Sequence, residues 1–234
     1  MRAGEGNRGT ISALAGFPAG GVPRKERGEP EAVVATLLFA DVQGFSQLHA
    51  PELSRFVERF WQGVANLARP YRRDIAVRET WGDGLFFAIL SVEAAGHLAL
   101  ELSELARDIA WRGAGPLRPL PLRIALHVGP VRLGLNPVTG LASCSGPDIS
   151  HAARLEPKTP PGEVYASEAF AARTTQQRIR GFACHYVKEL LWAKQCGRFP
   201  TYVVRRARRS RPILRVVRAE EEAELAGENR VKCG

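Results

Sequence analysis

Two short carboxylate motifs carry the chemistry that this sequence can be expected to perform. One is Leu38-Phe39-Ala40-Asp41-Val42-Gln43-Gly44-Phe45-Ser46 and the other is Trp81-Gly82-Asp83-Gly84-Leu85-Phe86-Phe87. An apolar run that ends in Asp41 ahead of Gly-Phe-Ser puts a carboxylate at the carboxyl edge of a strand. Asp83, between two glycines and flanked by strand-forming residues, belongs at a hairpin tip. If those strands are neighbours in one sheet, the two carboxylates converge. An all-oxygen donor set of this kind suits Mg²⁺ or Mn²⁺, held jointly by carboxylates and substrate phosphates. That is the outline of two-metal phosphoryl chemistry. Either aspartate taken alone would read as a turn former or a cap.

The elements that must hold these motifs follow from periodicity. Val33 to Asp41 reads as a buried central strand. Ser46 offers a helix cap and Pro51 suits the first turn of a long helix. Leu53, Phe56, Val57, Phe60, Trp61, Val64 and Leu67 then recur at spacings of three and four, a single apolar face that belongs to the core. Asp74 to Trp81 and Leu85 to Leu90 form a strand pair, and Val92 to Trp111 a second amphipathic helix. A strand over Leu122 to Val128 leads to a hairpin near Asn136-Pro137-Val138-Thr139-Gly140. A short helix from Asp148 to Leu155 and a strand from Glu163 to Ala166 come next, and the last strands lie near His185 to Leu190 and Thr201 to Val204. Strand, helix, strand, strand, helix, strand is the order of a ferredoxin-like α+β sandwich (βαββαβ), helices on one face of an antiparallel sheet, here with extra C-terminal β elements.

The bulk properties bound this reading. With 234 residues and an apolar fraction of 45% the chain can bury a substantial core. We expect a flexible leader over residues 1–31, one domain over 32–205, and a basic then acidic tail over 206–234. No apolar run approaches the roughly 18 residues of a membrane span, and the broken, Glu5-containing start does not resemble a secretory signal. Cys144, Cys184, Cys196 and Cys233 have no zinc-like or C-x-x-C spacing and read as reduced thiols of a cytoplasmic protein. The net charge is +9, but seven arginines and no acids fall between Arg205 and Arg218. Such a segment reads as a solvated tail, so no nucleic-acid partner is expected.

Five motifs in one order resemble the class III nucleotidyl cyclase catalytic domain over roughly residues 33–205. They are Phe39-Ala40-Asp41-Val42-Gln43-Gly44-Phe45, Gly82-Asp83-Gly84, Arg123-Ile124-Ala125-Leu126-His127-Val128-Gly129, Gly146-Pro147-Asp148-Ile149-Ser150-His151-Ala152-Ala153-Arg154 and Gly197-Arg198-Phe199-Pro200-Thr201-Tyr202. The resemblance implies two ions, Mn²⁺ or Mg²⁺, on Asp41, Asp83 and the carbonyl of Val42. It implies that Arg154 stabilises charge on the α-phosphate, that Lys194 contacts the triphosphate, and that the sites lie at a homodimer interface. Gly44, Phe45 and Ser46 precede a helix whose amides can receive phosphate oxygens, and Phe39 is counted with the substrate contacts. His127 reads as structural.

The departures from that family concern the base. Ser150 stands where purine cyclases carry Asn, Ser143 where they carry Asp, Thr or Cys, and the base-reading lysine is missing, with Arg78 and Glu79 flanking its place. Trp81 is bulkier than the residue usual before Gly-Asp. With Thr80-Trp81-Gly82-Asp83-Gly84 in a short chain, the pattern resembles the bacterial antiphage pyrimidine cyclases, which make cyclic UMP or cyclic CMP. The expected reaction is UTP to 3′,5′-cyclic UMP and pyrophosphate, the product acting on a separate cyclic-nucleotide-responsive effector. CTP, a purine substrate, and a catalytically silent nucleotide-binding or dimerisation module stay open, as does which of Arg78 and Glu79 faces the base.

Overall fold

The computed structural model describes residues 32–108, 120–191 and 197–207. Lys194, Cys196, Cys233 and the tail beyond residue 207 lie outside the described residues, as do the leader and the far end of the second helix.

Among the described residues, eight strands and four α-helices follow one another as β1 (Ala32–Val42), α1 (Ala50–Ala68), β2 (Ile75–Trp81), β3 (Gly84–Ile89), α2 (Val92–Asp108), β4 (Leu122–Leu135), β5 (Ala142–Ser145), α3 (Pro147–Leu155), β6 (Val164–Ser167), α4 (Glu168–Gln176), β7 (Phe182–Leu191) and β8 (Arg198–Arg206). They build one sheet in the order β2-β3-β1-β4-β6-β8-β7, with β5 paired to β4. The first four strands are the ferredoxin-like core, all antiparallel. β6 runs parallel to β4, and β8 and β7 extend the sheet beyond it.

The pleat divides the central strands between two environments. Leu38, Ala40 and Val42 of β1 and Leu122, Ile124, Leu126 and Val128 of β4 join Phe56, Phe60 and Val64 of α1, Leu98 and Leu102 of α2 and Phe170 of α4 in the main core. Phe56 and Phe60 stack at 4.7 Å between centroids, both almost fully buried. Burying such a side chain contributes about 1.5–3 kcal/mol, which explains why the i, i+4 spacing of α1 is so regular. The opposite face packs Ala35, Leu37, Phe86 and Ala88 against Ala152 and Ile149 of α3. Helices were expected on one face only. α3 lies on the other, where its Ile149 and Ala152 cover a sheet face that α1, α2 and α4 leave open.

Three further expectations are corrected. Ser46 does not cap α1. It sits in a separate 3-10 turn, Phe45–Gln47, and α1 begins after His49, whose backbone N–H donates to Glu52 at 2.9 Å. The region after β6, expected to be β-rich, opens with α4, whose cap Ser167 accepts from the Phe170 N–H. Arg205 and Arg206, expected in or at the edge of a solvated tail, belong to β8. Arg205 pairs with Glu163, and Arg206 grips Glu104 through two bonds of 2.6 and 2.7 Å.

Candidate active site

The first carboxylate stands where β1 leaves the sheet. In register, Asp41 faces Arg123 of β4, and the pleat turns both away from the main core. The second stands in the turn between β2 and β3. Trp81 pairs with Gly84, so Gly82 and Asp83 form a two-residue hairpin loop, and the positive φ of Gly82, 60°, supplies the left-handed first position that this turn needs. Because β3 lies beside β1, the turn carries Asp83 up to Asp41. Burial first, then the negative charge of Asp41 and a hydrogen bond to it, raise the Asp83 carboxyl above its ordinary value.

Two further charged residues complete the cluster, and neither was singled out from the sequence. Arg123 donates from Nη2 to Asp41 Oδ2 at 3.0 Å, and its Nε lies 3.3 Å from Glu156 Oε1. That second contact lacks hydrogen-bond geometry, which leaves both Arg123 Nε and Glu156 Oε1 buried without a hydrogen-bond partner. Burial, then the charge of Asp41, push the Glu156 carboxyl up to about 7, while Arg123 pulls it down. Three carboxylates around one guanidinium form a site short of positive charge. An all-oxygen set with an unsatisfied buried oxygen fits a hard divalent cation. A signal for Arg123 was available, since it is the one Asp, Glu, Lys or Arg in the run from Leu122 to Val128 and falls out of phase with the apolar face of Leu122, Ile124 and Leu126. Glu156 had none beyond its place next to Leu155.

The remaining predicted residues fall around this cluster in different ways. The Val42 side chain is in the core, so only its backbone can serve a ligand. Gly44 takes φ +84° at the start of the 3-10 turn; Phe45 packs edge-on against Phe56, and Ser46 is exposed. Phe39 lies 4.7 Å from Phe86 and 6.1 Å from Trp81 between centroids. The Trp81 indole, 50% exposed, folds across the hairpin so closely that a Cβ on Gly84 would meet its Nε1 at 2.3 Å.

Strand parity separates Arg78 from Glu79. Val77, Glu79 and Trp81 share the face that carries Phe39, whereas Arg78 turns to the other. Glu79 comes near Cys144 of β5, and its charge, second to burial, helps to push that thiol up to about 11. Ser143, one residue earlier, alternates to the opposite side of β5. Ser150 is exposed on α3, and Arg154 is half-buried in its last turn. Within the charge cluster around Asp41, the residue that follows α3 is Glu156.

Farther along β4, His127 is buried between Ser167 and Asp148, each 2.9 Å away, and burial lowers its basicity.

No family model and no curated protein matches the sequence. Solved structures do match. The adenylyl cyclase CyaB from P. aeruginosa superposes with a TM-score of 0.65 at 18% identity, over 78% of this chain and 98% of that one. The guanylate cyclase domain of RhGC from Catenaria anguillulae, in complex with GTP, gives 0.62 at 18%, over 74% and 97%. An adenylate cyclase from Trypanosoma brucei in its monomeric state gives 0.64 at 19%, over 73% and 89%. The chain has the fold of a class III cyclase catalytic domain. Nearly the whole of the first two structures is spanned. Among the described residues, no helix is long and apolar enough to cross a membrane.

Proposed function

We propose that the protein is a nucleotidyl cyclase that converts UTP to 3′,5′-cyclic UMP and pyrophosphate. The observation that carries this reading is the convergence of Asp41 and Asp83, from two separate elements, beside Arg123 and Glu156 within a cyclase fold. Asp41, Asp83 and the Val42 carbonyl would hold two Mg²⁺ or Mn²⁺ ions. When bound, such ions supply Lewis-acid activation of the ribose 3′-hydroxyl and neutralise the leaving pyrophosphate. Arg123 balances the carboxylates until then. Arg154 stabilises charge on the α-phosphate from the partner subunit of a homodimer, whose symmetry gives two equivalent sites. Lys194 and the amides after Gly44 receive the other phosphates.

Base choice rests on Glu79, Trp81 and Phe39. Glu79 accepts from the N3–H of uracil, while cytosine presents an acceptor at N3 and leaves the carboxylate opposed. Trp81 and Phe39 narrow the space for a second ring. The juxtaposition of Glu79 and Cys144 favours one alternative, GTP, whose N1–H and N2–H₂ both donate to a carboxylate and whose O6 accepts from a thiol. The product is a cytoplasmic second messenger read by a separate effector, consistent with an antiphage signal.

Equal concentrations of UTP, CTP, GTP and ATP with Mn²⁺ and pure protein, followed by product identification by mass, test this directly. Cyclic UMP is expected to predominate. Faster cyclisation of GTP or ATP would replace the pyrimidine assignment with a purine one, and no cyclic product from any of the four would leave only the silent-module reading.

A further inference from the structure

We propose that His127, Asp148 and His151 form a second metal site, suited to Zn²⁺ or a similar nitrogen-preferring ion, that fastens α3 to β4. The three donor atoms lie within 4.8 Å of one another, on β4 and on the helix of the crossover that leads from it to β6. His127 Nε2 is 2.9 Å from Asp148 Oδ1, and His151 Nδ1 is 3.8 Å from the same oxygen. In a tetrahedral zinc site with bonds near 2.0–2.1 Å, neighbouring donors are about 3.3 Å apart. A few tenths of an ångström in side-chain position bring these two contacts to that spacing, and the two imidazole nitrogens, which start within 4.8 Å, close on each other as the ion draws them in. Asp148 and His151 are one turn apart on α3 and face the same way.

The surroundings of His127 are those of a ligand with a support behind it. Its Nδ1 lies 2.9 Å from Ser167 Oγ, which also accepts from the Phe170 N–H and retains a lone pair for an Nδ1–H. Without an ion the neutral imidazole carries its proton on Nε2, donating to Asp148 while the Ser167 hydroxyl donates to Nδ1; an ion on Nε2 selects the other tautomer, whose Nδ1–H donates to Ser167 Oγ. Room for the carboxylate is built into the backbone, since a Cβ on Gly129 would meet Asp148 Cγ at 2.3 Å.

This site is separate from the Asp41–Asp83 cluster. His127 is four residues along β4 from Arg123, about 13 Å at the rise of a strand. The donor chemistry differs as well. Two imidazoles and one carboxylate select a borderline ion such as Zn²⁺ over Mg²⁺, whereas the catalytic set is all oxygen. The proposal does not depend on which nucleotide the protein uses.

The test is zinc retention by the chelator-stripped full-length protein, dialysed against ZnCl₂ with excess Mg²⁺ to occupy oxygen sites and measured by atomic absorption. One Zn²⁺ per chain is expected, both in the wild type and in an Asp41→Ala/Asp83→Ala double variant. Co²⁺ in its place should give the visible absorption of a tetrahedral site. His151→Ala, altered at the partly exposed edge of α3, should lose at least tenfold in zinc affinity while circular dichroism stays unchanged. Asp148→Asn, nearly isosteric, should do the same. The proposal is overturned if the wild type retains no zinc, if zinc is lost in the Asp41/Asp83 variant but kept in His151→Ala, or if His151→Ala binds as the wild type does.

Discussion

The two faces of β1 and β4 are made of the same two strands and differ in chemistry, one the main core and the other a smaller apolar cluster beside ionisable groups. Beneath α1, α2 and α4 the strands present aliphatic residues and one buried threonine, Thr36, to the main core, and Leu38, Leu122, Ile124 and Leu126 are almost fully buried. One residue out of phase, the same strands present Asp41, Arg123 and His127 to the face that α3 covers. Strand alternation thus lets one helix-packed layer supply the stability while its reverse carries ionisable groups that would be intolerable in that core. Residues adjacent in sequence should accordingly fail in different ways when changed.

The largest contrast is in turnover. Asp41→Ala and Asp83→Ala should each lower the cyclisation rate by on the order of a thousandfold or more, the loss of several kcal/mol of charge stabilisation. Thermal denaturation should show melting temperatures close to that of the wild type, since neither side chain is part of the core. Near-normal turnover in either folded variant removes the pair from the chemistry.

Ile124→Ala, on the helix face, should behave in the reverse manner. Deleting a fully buried aliphatic side chain costs about 2–5 kcal/mol, to be read as an earlier urea midpoint with turnover at permissive temperature largely kept. If Ile124→Ala instead abolishes turnover without loss of stability, the division of labour between the faces is wrong.

A subtler effect sharpens the polar face itself. The Glu156 carboxyl is held near 7 in the folded chain, against about 4.5 when unfolded. The native state therefore binds a proton that the unfolded state releases. The stability that this provides is complete below about pH 4.5 and is lost as pH rises to about 7. In metal-free protein, Glu156→Gln should flatten the stability profile over that window. Parallel profiles for variant and wild type would mean that Glu156 titrates normally.

Much of this was legible in the sequence, and the gaps have physical reasons. The central strands and α1 are long and strongly periodic, so β1, β3, the start of β4 and both long helices were predictable within a few residues, whereas β4 continues to Leu135, well past the expected end at Val128. α4 was missed because its apolar residues are few, and the Ser167 cap with Phe170, Ala171 and Thr174 was the only signal. The side of the sheet that α3 takes depends on which face is left uncovered, which local pattern does not specify. The Asp41–Asp83 pair could be named from two motifs. Its setting with Glu156 and Arg123 depends on register between strands and on where a helix ends. Parity in β2 likewise puts Glu79, and not Arg78, on the face that carries Phe39, a placement that composition left open.

The most direct test of the central claim is the stoichiometry of the reaction at the carboxylate pair. Pure protein with UTP and Mn²⁺ should release one pyrophosphate for each cyclic UMP formed, and Asp83→Asn, folded and of equal size, should release neither. Phosphate release without a cyclic product, or an Asp83→Asn protein that cyclises UTP as fast as the wild type, would contradict it.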